Sequence, residues 1–181
     1  MKSAHSYKYY SNYVIQYDFL NVFHYKTPKE LPKLQKLIVA FNQLQLSEFF
    51  CLLTFSQILT LRTGKVKAQA FSNQKSKQKS ISAVFTLKGK LMLYFLSKLC
   101  KEVFSLKNSK IKLNLNRLNM HSSSLTHKIE KLVSFNLMKS NYMMFKKLND
   151  RNYLYITLLT NTKKLEELAL LCCSYKLTQP K

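Results

Sequence analysis

Apolar and polar residues alternate with a period of two in several short stretches of this 181-residue chain. After Pro32, the stretch KLQKLIVAF places Leu37, Val39 and Phe41 on one side, which is typical of a strand with one buried face. The same pattern predicts strands in KVKAQAF, ISAVFTL, KIKLNLN and NYLYITLLT (Asn152–Thr160).

Other stretches repeat their apolar residues with the period of an α-helix. In LMLYFLSKLCKEVFSL, one helical face is apolar and consists of Met92, Phe95, Leu99, Val103 and Leu106. The opposite face is polar and consists of Ser97, Lys98, Lys101 and Glu102. The stretches QLSEFFCLLTFSQILTLRTG and NTKKLEELALLCCSY predict two further helices.

The N-terminal segment is rich in tyrosine, and Tyr10 and Tyr13 have loose helical spacing. Tyrosines on a helix usually pack against a core, so we expect packing roles for them. Stacking of Tyr7, Tyr9, Tyr10 and Tyr13 on single-stranded RNA, in a basic interaction protein unrelated to ribosomes, is the alternative.

The chain contains only two glycines, and each lies at a predicted boundary. We expect Ser47 to cap the helix of QLSEFFCLLTF, and Gly64 to end that helix in the left-handed conformation. Gly89 lies between a predicted strand and a predicted helix, where a positive φ or close packing would exclude a side chain. So few glycines exclude a Walker loop and a dinucleotide-binding fingerprint.

Strands and helices are interleaved, and a polar stretch, SNQKSKQKS (Ser72–Ser80), separates two of the strands. We therefore predict an α+β fold: an antiparallel or mixed sheet with helices packed on one face and a long basic hairpin loop. The predicted single domain has four parts. They are a helical segment (1–30), a strand-helix-strand-strand-helix-strand core (33–117), a divergent segment (118–150) and a closing strand and helix (151–177).

The charge of the chain restricts the class of its partner. The sequence has 30 Lys and Arg against 8 Asp and Glu, a formal net charge of +22 at pH 7. A compact chain of that charge repels itself unless a polyanion neutralises it, and the phosphate backbone of a nucleic acid is the usual polyanion. An anionic membrane surface is the alternative, but no apolar run approaches the roughly 20 residues that span a bilayer.

The four cysteines and four histidines do not have the spacing of a metal site. Cys51, Cys100, Cys172 and Cys173 lie within apolar runs, which indicates buried free thiols in a reducing compartment. The sequence also has no nucleophile elbow and no paired carboxylates. We therefore expect a protein that is not an enzyme, with no catalytic residue, metal or cofactor.

Five stretches resemble, in order, motifs of the bacterial-type large-subunit ribosomal protein five family. ELPKLQKLIVAF resembles its V-P-K-I-E-K-I-V strand, and LTLRTGKVKAQA resembles L-x-x-I-T-G-Q-K-P-x-x-T-K-A. FTLKGKLMLYFLSKL (Phe85–Leu99) resembles the V-T-L-R-G strand and the R-M-x-E-F-L-x-R-L helix that follows it. SLTHKIEKLVSF resembles S-L-G-I-K-E-Q-L-I-F. YITLLTNTKKLEELALL resembles the family's ending, D-I-T-I-V-T-T-A-x-T-D-E-E-A-x-A-L-L, and its Glu166 and Glu167 match the acidic pair. The resemblance covers residues 5–177.

The resemblance implies a structural constituent of the ribosome, on the central protuberance of the large subunit. It implies binding to large-subunit rRNA and an approach to P-site tRNA through the 72–80 loop. It also implies contacts with neighbouring large-subunit proteins and with a small-subunit head protein across an intersubunit bridge. The candidate RNA-binding residues are Lys65, Lys67, Lys75, Lys77, Lys79, Thr86, Lys88, Lys90, Lys110 and Lys112.

The sequence departs from the family at the residues that bind 5S rRNA. By alignment, the asparagine of the family's first strand falls on Ala40 and the glutamine after Gly64 falls on Lys65, and only the threonine, Thr86, is retained. Alanine cannot hydrogen-bond a ribose or a base, so we expect 5S rRNA recognition to be weak or absent. The family's F-D-G-R-G-N-Y segment is also missing, and LNMHSSS (Leu118–Ser124) stands in its place.

Two features favour a mitochondrial ribosome. Mitochondrial ribosomes often lack 5S rRNA, and the residues that are abundant here (Lys, Asn, Ile, Phe and Tyr) have A/T-rich codons, as in organellar genes. We therefore expect an organelle-encoded protein of the mitochondrial matrix, with a plastid or the bacterial cytoplasm as the alternative.

The stretch 122–160 supports a second interpretation, a winged-helix DNA-binding transcription regulator. Ser124 would cap its recognition helix, and His127, Lys128 and Lys131 would face a major groove. Such a domain needs another helix just upstream, where KIKLNLN predicts a strand. This interpretation also leaves the first half of the chain unexplained.

Overall fold

The computed structural model describes residues 9–43, 45–73, 76–104, 123–129, 132, 135–146, 148 and 152–175. Its strands are β1 (Leu34–Gln43), β2 (Lys65–Asn73), β3 (Ser76–Leu87), β4 (Ser124–Ile129) and β5 (Leu154–Thr160). These form one antiparallel sheet in the order β2-β3-β1-β5-β4. The predicted α+β fold is therefore confirmed.

Helices connect and follow the strands. They are α1 (Gln16–Val22), α2 (Leu46–Thr60), α3 (Gly89–Lys98), α4 (Asn136–Ser140), α5 (Tyr142–Phe145) and α6 (Leu165–Ser174). A π-helical segment, Tyr10–Ile15, leads into α1, a second one, Leu99–Phe104, extends α3, and Pro28–Glu30 forms a 3-10 turn. The order β1-α2-β2-β3-α3 follows the strand-helix-strand-strand-helix order predicted from the sequence.

The chain divides into two compact units. One unit consists of Met1–Leu37, Lys88–Thr126 and Thr157–Lys181, and is called the first unit. The second unit consists of Ile38–Leu87 and His127–Ile156.

Strand β1 has the buried face that its alternation predicts. Leu37, Val39 and Phe41 are at most 1% exposed. In the second unit, the Phe41 ring lies 5.6 Å from the ring of Phe49 on α2 and 6.3 Å from that of Phe85 on β3. This aromatic cluster joins α2 to the buried face of the sheet.

A second group of aromatic rings packs around Phe55 of α2. Phe55 is fully buried, and its ring meets Phe135 at 5.8 Å and Phe145 at 5.3 Å, both edge to face. Edge-to-face contacts bring the positive ring edge against the negative ring face, which adds a specific attraction to the burial of area. The short helices α4 and α5 are held to α2 in this way.

The core of the first unit includes one face of α3 and its π-helical extension. Met92, Phe95, Leu99 and Val103 are all buried, as the helical spacing predicts. The spacing places Ser97 on the opposite face, but this residue is also buried, because its hydroxyl donates to the backbone oxygen of Tyr94 at 2.8 Å and so needs no water. That single assignment is wrong.

The end of β5 is tied to the segment that enters β1. The backbone N–H of Asn161 donates to the Lys33 oxygen at 3.3 Å, and the Asn161 side-chain oxygen accepts from the Lys33 N–H at 2.5 Å. The Asn161 amide also donates to the oxygen of Leu31 at 3.0 Å. One asparagine therefore satisfies three groups of the backbone around it.

The two glycines have different physical roles. Gly89 adopts φ +56° in open space, so the positive φ expected between β3 and α3 is confirmed and close packing is not its cause. Gly64 does not adopt the left-handed conformation expected of it. Leu61 does so, with φ 54°, because α2 ends three residues earlier. Gly64 is instead required for space, since a Cβ at this position would lie 2.6 Å from Cζ of Phe85.

The start of α2 also differs from the prediction. The helix begins at Leu46, and its N-cap residue is Gln45, whose side chain makes no capping hydrogen bond. Ser47 is therefore already inside the helix. The helix therefore begins without a side-chain cap, and Phe49 near its start packs against Phe41.

The long hairpin loop expected at Ser72–Ser80 is not confirmed. Strands β2 and β3 pair from Lys65 opposite Val84 to Asn73 opposite Ser76, so most of that stretch lies in the two strands. The predicted strand KIKLNLN and the apolar position Leu106 lie outside the described residues.

The recognition helix of the winged-helix interpretation is not present. Ser124–Ile129 form a strand, β4, and the hydroxyls of Thr126 on β4 and Thr157 on β5 are 2.9 Å apart. The helix assignment for Ser124, His127 and Lys128 is therefore wrong, and Lys131 lies outside the described residues.

The residues of the N-terminal helical segment that pack into the core are mostly not its tyrosines. Ile15 and Phe19 are buried, whereas Tyr9 and Tyr13 are 65% and 64% exposed. The ring centroids of these two tyrosines lie 4.8 Å apart. The expected packing role is wrong for these two tyrosines. Tyr10 is half-buried and donates a hydrogen bond from its hydroxyl.

Candidate nucleic-acid interface

The sheet of the second unit has one buried face and one accessible face. On β3, Ala83, Phe85 and Leu87 are fully buried. Alternate residues of a strand point to opposite faces, so the half-buried residues between them lie on the other face. This accessible surface is called the open face, and it consists of Ile38, Ala40, Asn42, Lys65, Lys67, Ser82, Val84, Thr86, Lys128, Tyr153 and Tyr155.

Strand β2 contributes two exposed lysines to the open face. Lys65 lies opposite Val84 and Lys67 lies opposite Ser82, and directly opposed residues of an antiparallel pair share a face. The Ser82 hydroxyl donates to the Lys67 backbone oxygen at 3.1 Å, which fixes this position of the strand. Among the described residues, neither lysine forms an ion pair with a carboxylate, so their charges are available to an external anion.

The open face also holds the positions that the family resemblance aligns with 5S rRNA binding. Ala40 and Thr86 are half-buried there, and Lys65 is exposed on the same face. The Arg62 guanidinium donates to the Thr86 backbone oxygen at 2.7 Å, which anchors the end of β3. Three residues selected by alignment are thus on one surface.

The first unit carries two more of the candidate lysines. Lys88 and Lys90 are exposed on either side of Gly89, and no carboxylate pairs with them within the described part of the chain. The positive φ of Gly89 turns the chain between them.

The remaining candidates are located only in part. Lys77 and Lys79 lie on β3, opposite Ser72 and Ala70 of β2. Lys75, Lys110 and Lys112 lie outside the described residues.

Sequence reasoning missed an aromatic cluster on the open face. The Lys128 ammonium lies 4.3 Å from the centroid of the Tyr153 ring, and the rings of Tyr153 and Tyr155 meet at 5.1 Å with an interplanar angle of 73°. Burial and the hydrogen-bonded neighbour Tyr153 raise the pKa of Tyr155. The spacing in NYLY could have identified this cluster, since it places two tyrosines on one face of a strand.

The thiol of Cys172 is poorly suited to nucleophilic chemistry. None of the four cysteines, all of them within the described residues, forms a disulfide. Cys172 is buried as expected, but the expected burial is wrong for Cys51, Cys100 and Cys173, which are only half-buried. Burial, with a smaller contribution from Cys173, raises the pKa of Cys172 to about 12, so it is protonated at neutral pH. A protonated thiol is a poor nucleophile and a poor metal ligand. In the described ranges, no three His, Cys, Asp or Glu residues come close enough to hold a metal ion.

Compared with known proteins, the chain matches no family model and is significantly similar to no curated protein. Within the part of the chain that the structure describes, every helix is too short or too polar to cross a membrane. Function is therefore inferred from the residues of this chain and their geometry.

Proposed function

We propose that this chain is an RNA-binding structural constituent of the large ribosomal subunit, similar in role to bacterial-type large-subunit ribosomal protein five. The open face is the observation that carries this proposal. It presents Lys65 and Lys67 without a carboxylate partner among the described residues, in a chain with a net charge of +22. It is also backed by a fully buried aromatic core, which keeps it rigid.

A rigid surface of this kind acts by position. Each lysine is a compact point charge that neutralises a phosphate and releases its counterion. Such contacts fix the register of protein and RNA but read little base sequence. The role that follows is to hold an RNA segment in place, with no reaction to catalyse.

Two structural details support the comparison with this family. The family's strand-to-helix motif has a glycine at the turn, and Gly89 occupies that turn with φ +56°. The aligned positions Ala40 and Thr86 both lie on the open face. Since alanine offers no hydrogen-bonding group, the proposal includes weak or absent binding to 5S rRNA.

The proposed place of the protein is the central protuberance, in contact with large-subunit rRNA and neighbouring large-subunit proteins. The paired strands β2 and β3 would extend toward P-site tRNA, and a small-subunit head protein would be met across an intersubunit bridge. The proposed compartment is the mitochondrial matrix. The abundance of amino acids with A/T-rich codons and the expected loss of the 5S rRNA contact support it.

Sedimentation of the tagged chain tests the proposal in its native setting. A native organelle or cell lysate is separated on a gradient, and the RNA that copurifies with the chain is sequenced. We expect large-subunit rRNA in the fractions of the large subunit, with little or no 5S rRNA. Recovery of DNA fragments or of no ribosomal RNA would contradict the proposal.

A matched pair of variants tests the open face itself. Replacing both Lys65 and Lys67 by alanine should reduce the slope of log affinity against log salt by about 1–2, because each phosphate contact contributes about 0.9. The control replaces Lys139 and Lys146, two exposed lysines of the same unit on or next to the helices α4 and α5. An equal change of slope in both variants would show that RNA does not bind at the open face.

A further inference from the structure

The aromatic cluster on the open face offers flat ring surfaces, which contacts with phosphates do not require. Tyr155 is 37% exposed, although the residues next to it on β5, Leu154 and Ile156, are buried. A tyrosine ring left accessible on a strand offers a flat apolar surface with a polar tip. Apart from Tyr153, the rest of the open face presents lysines, small polar residues and aliphatic side chains. The Tyr155 ring is therefore the part of this surface on which a flat ligand can stack.

The cluster is held in place before any ligand arrives. Lys128 lies over the Tyr153 ring at 4.3 Å, within the range of a cation–π interaction, and Tyr153 meets Tyr155 edge to face. The backbone entering β5 is anchored as well, because the side-chain amide of Gln43 donates to the side-chain oxygen of the fully buried Asn152. Little conformational entropy remains for a ligand to remove, which favours binding.

The charge around the cluster selects the kind of ligand. Lys128 is exposed beside the rings, and Lys65 and Lys67 belong to the same face and unit. A ligand that joins a flat ring to a negative charge complements this surface. A nucleotide is such a ligand, because it joins a flat base to a negatively charged phosphate. In duplex RNA the base faces are covered by neighbouring base pairs, so only an unpaired base can reach the Tyr155 ring.

We propose that Tyr155, supported by Tyr153 and Lys128, is a stacking site for an unpaired RNA base. The base would lie on the ring of Tyr155, with the Lys128 charge beside its phosphate. This inference rests on the proposed function, since it presumes that the open face binds RNA. It adds recognition of a single-stranded segment, in a loop, bulge or end, to the positional phosphate contacts.

The test compares two RNA probes on the full chain. One probe is a labelled single-stranded uridine oligonucleotide, and the other is a blunt duplex RNA with the same number of phosphates, both titrated at the same salt concentration. The variants are Tyr155→Ala, Tyr155→Phe and Tyr155→Leu. Since Tyr155 is partly exposed, circular dichroism and the melting temperature verify that each variant is folded.

We expect Tyr155→Ala to weaken single-strand binding about tenfold, since stacking of one base is worth about 5- to 150-fold in affinity. Tyr155→Phe keeps the ring and should bind as the wild type does, whereas Tyr155→Leu keeps apolar area without a ring and should bind weakly. Duplex binding should be the same in all three. An unchanged single-strand affinity of Tyr155→Ala, or an equal loss for both probes, would overturn the stacking site.

The same experiment separates this inference from the proposed function. If the wild-type chain binds neither probe, RNA binding itself is refuted and the stacking site is refuted with it. If the wild type binds both and only the Lys65 and Lys67 replacement weakens them, the open face is supported and the stacking site is refuted.

Discussion

Replacing Gly64 by alanine would place a Cβ 2.6 Å from Cζ and 2.7 Å from Cε1 of Phe85. Carbon atoms that are not bonded do not approach so closely, so the ring or the backbone must move. The ring has little freedom, because Phe85 is fully buried and lies 6.3 Å from Phe41, which also packs against Phe49. Alanine at this position therefore disturbs the aromatic cluster at the centre of the second unit.

Two opposing effects set the size of the change in stability. Gly64 is outside the left-handed region, so alanine fits its backbone and stiffens the unfolded chain, which stabilises the fold by about 0.4–1 kcal/mol. Overpacking in a dense core destabilises the fold by about 1–3 kcal/mol. Because overpacking outweighs the gain from the stiffer unfolded chain, we expect a net loss of about 1–2 kcal/mol in the free energy of unfolding.

Urea unfolding followed by circular dichroism measures this loss, and a second substitution identifies its cause. Phe85→Leu removes the ring atoms that the new Cβ would meet, so Gly64→Ala should cost nothing in that background, a coupling of about 1 kcal/mol or more. Gly89→Ala is the control: it costs about 1–2 kcal/mol through its positive φ, and Phe85→Leu should not relieve it. If Gly64→Ala costs the same with and without the Phe85 ring, the steric explanation is refuted.

Two further predictions concern ionisable side chains of the first unit, Tyr25 and Cys172. The Tyr25 hydroxyl donates to the Glu167 carboxylate at 3.3 Å, and burial together with that carboxylate raises the pKa of Tyr25 from 10.0 to about 12. Because the pKa of Tyr25 is higher in the folded chain than in the unfolded one, this group stabilises the fold fully below pH 10 and loses its effect as the pH rises through 12. Tyr25→Phe should therefore flatten the alkaline loss of stability measured by urea unfolding. An unchanged pH profile would contradict the shift. Cys172, with its pKa of about 12 and its buried thiol, should react with iodoacetamide far more slowly in the folded chain than in urea, and equal rates measured by peptide mass spectrometry would show that it is accessible.

The sequence predicts strands best where one face is fully buried. In β5, Leu154, Ile156 and Leu158 are at most 7% exposed, and the residues between them are accessible. Burial on one face forces apolar residues to every second position, so the period is visible in the sequence. The same reason explains the success for β1.

Strand β4 shows where the period fails. Its two well-buried residues, Leu125 and Ile129, are four positions apart. Residues four apart share a face in a strand and also in a helix, so this spacing fits both structures. The strand is decided by pairing with β5, as in the contact between Thr126 and Thr157, and a single sequence does not show that pairing.

Part of the candidate site could be predicted in the same way. Charge and the family resemblance identify Lys65, Lys67 and Thr86, and all three lie on the open face. The alternation in NYLYITLLT predicts that Tyr155 lies in a strand, but its exposure depends on what covers that face, which is a property of the tertiary structure. For the same reason the sequence does not show that the Phe85 ring lies too close to position 64 for any residue larger than glycine.

The order of strands in the sheet has a consequence for the synthesis of the chain. Strand β1 lies between β3 and β5, and β5 is the last of the five described strands to be synthesised. The hydrogen bond between Lys33 and Asn161 spans 128 residues, and that between Gln43 and Asn152 spans 109. Pairing of β2 with β3 is local and fast, whereas closure of such long loops comes late. One edge of β1 therefore stays open until β5 has been synthesised, and a chain truncated before β5 would keep an unpaired edge that favours aggregation.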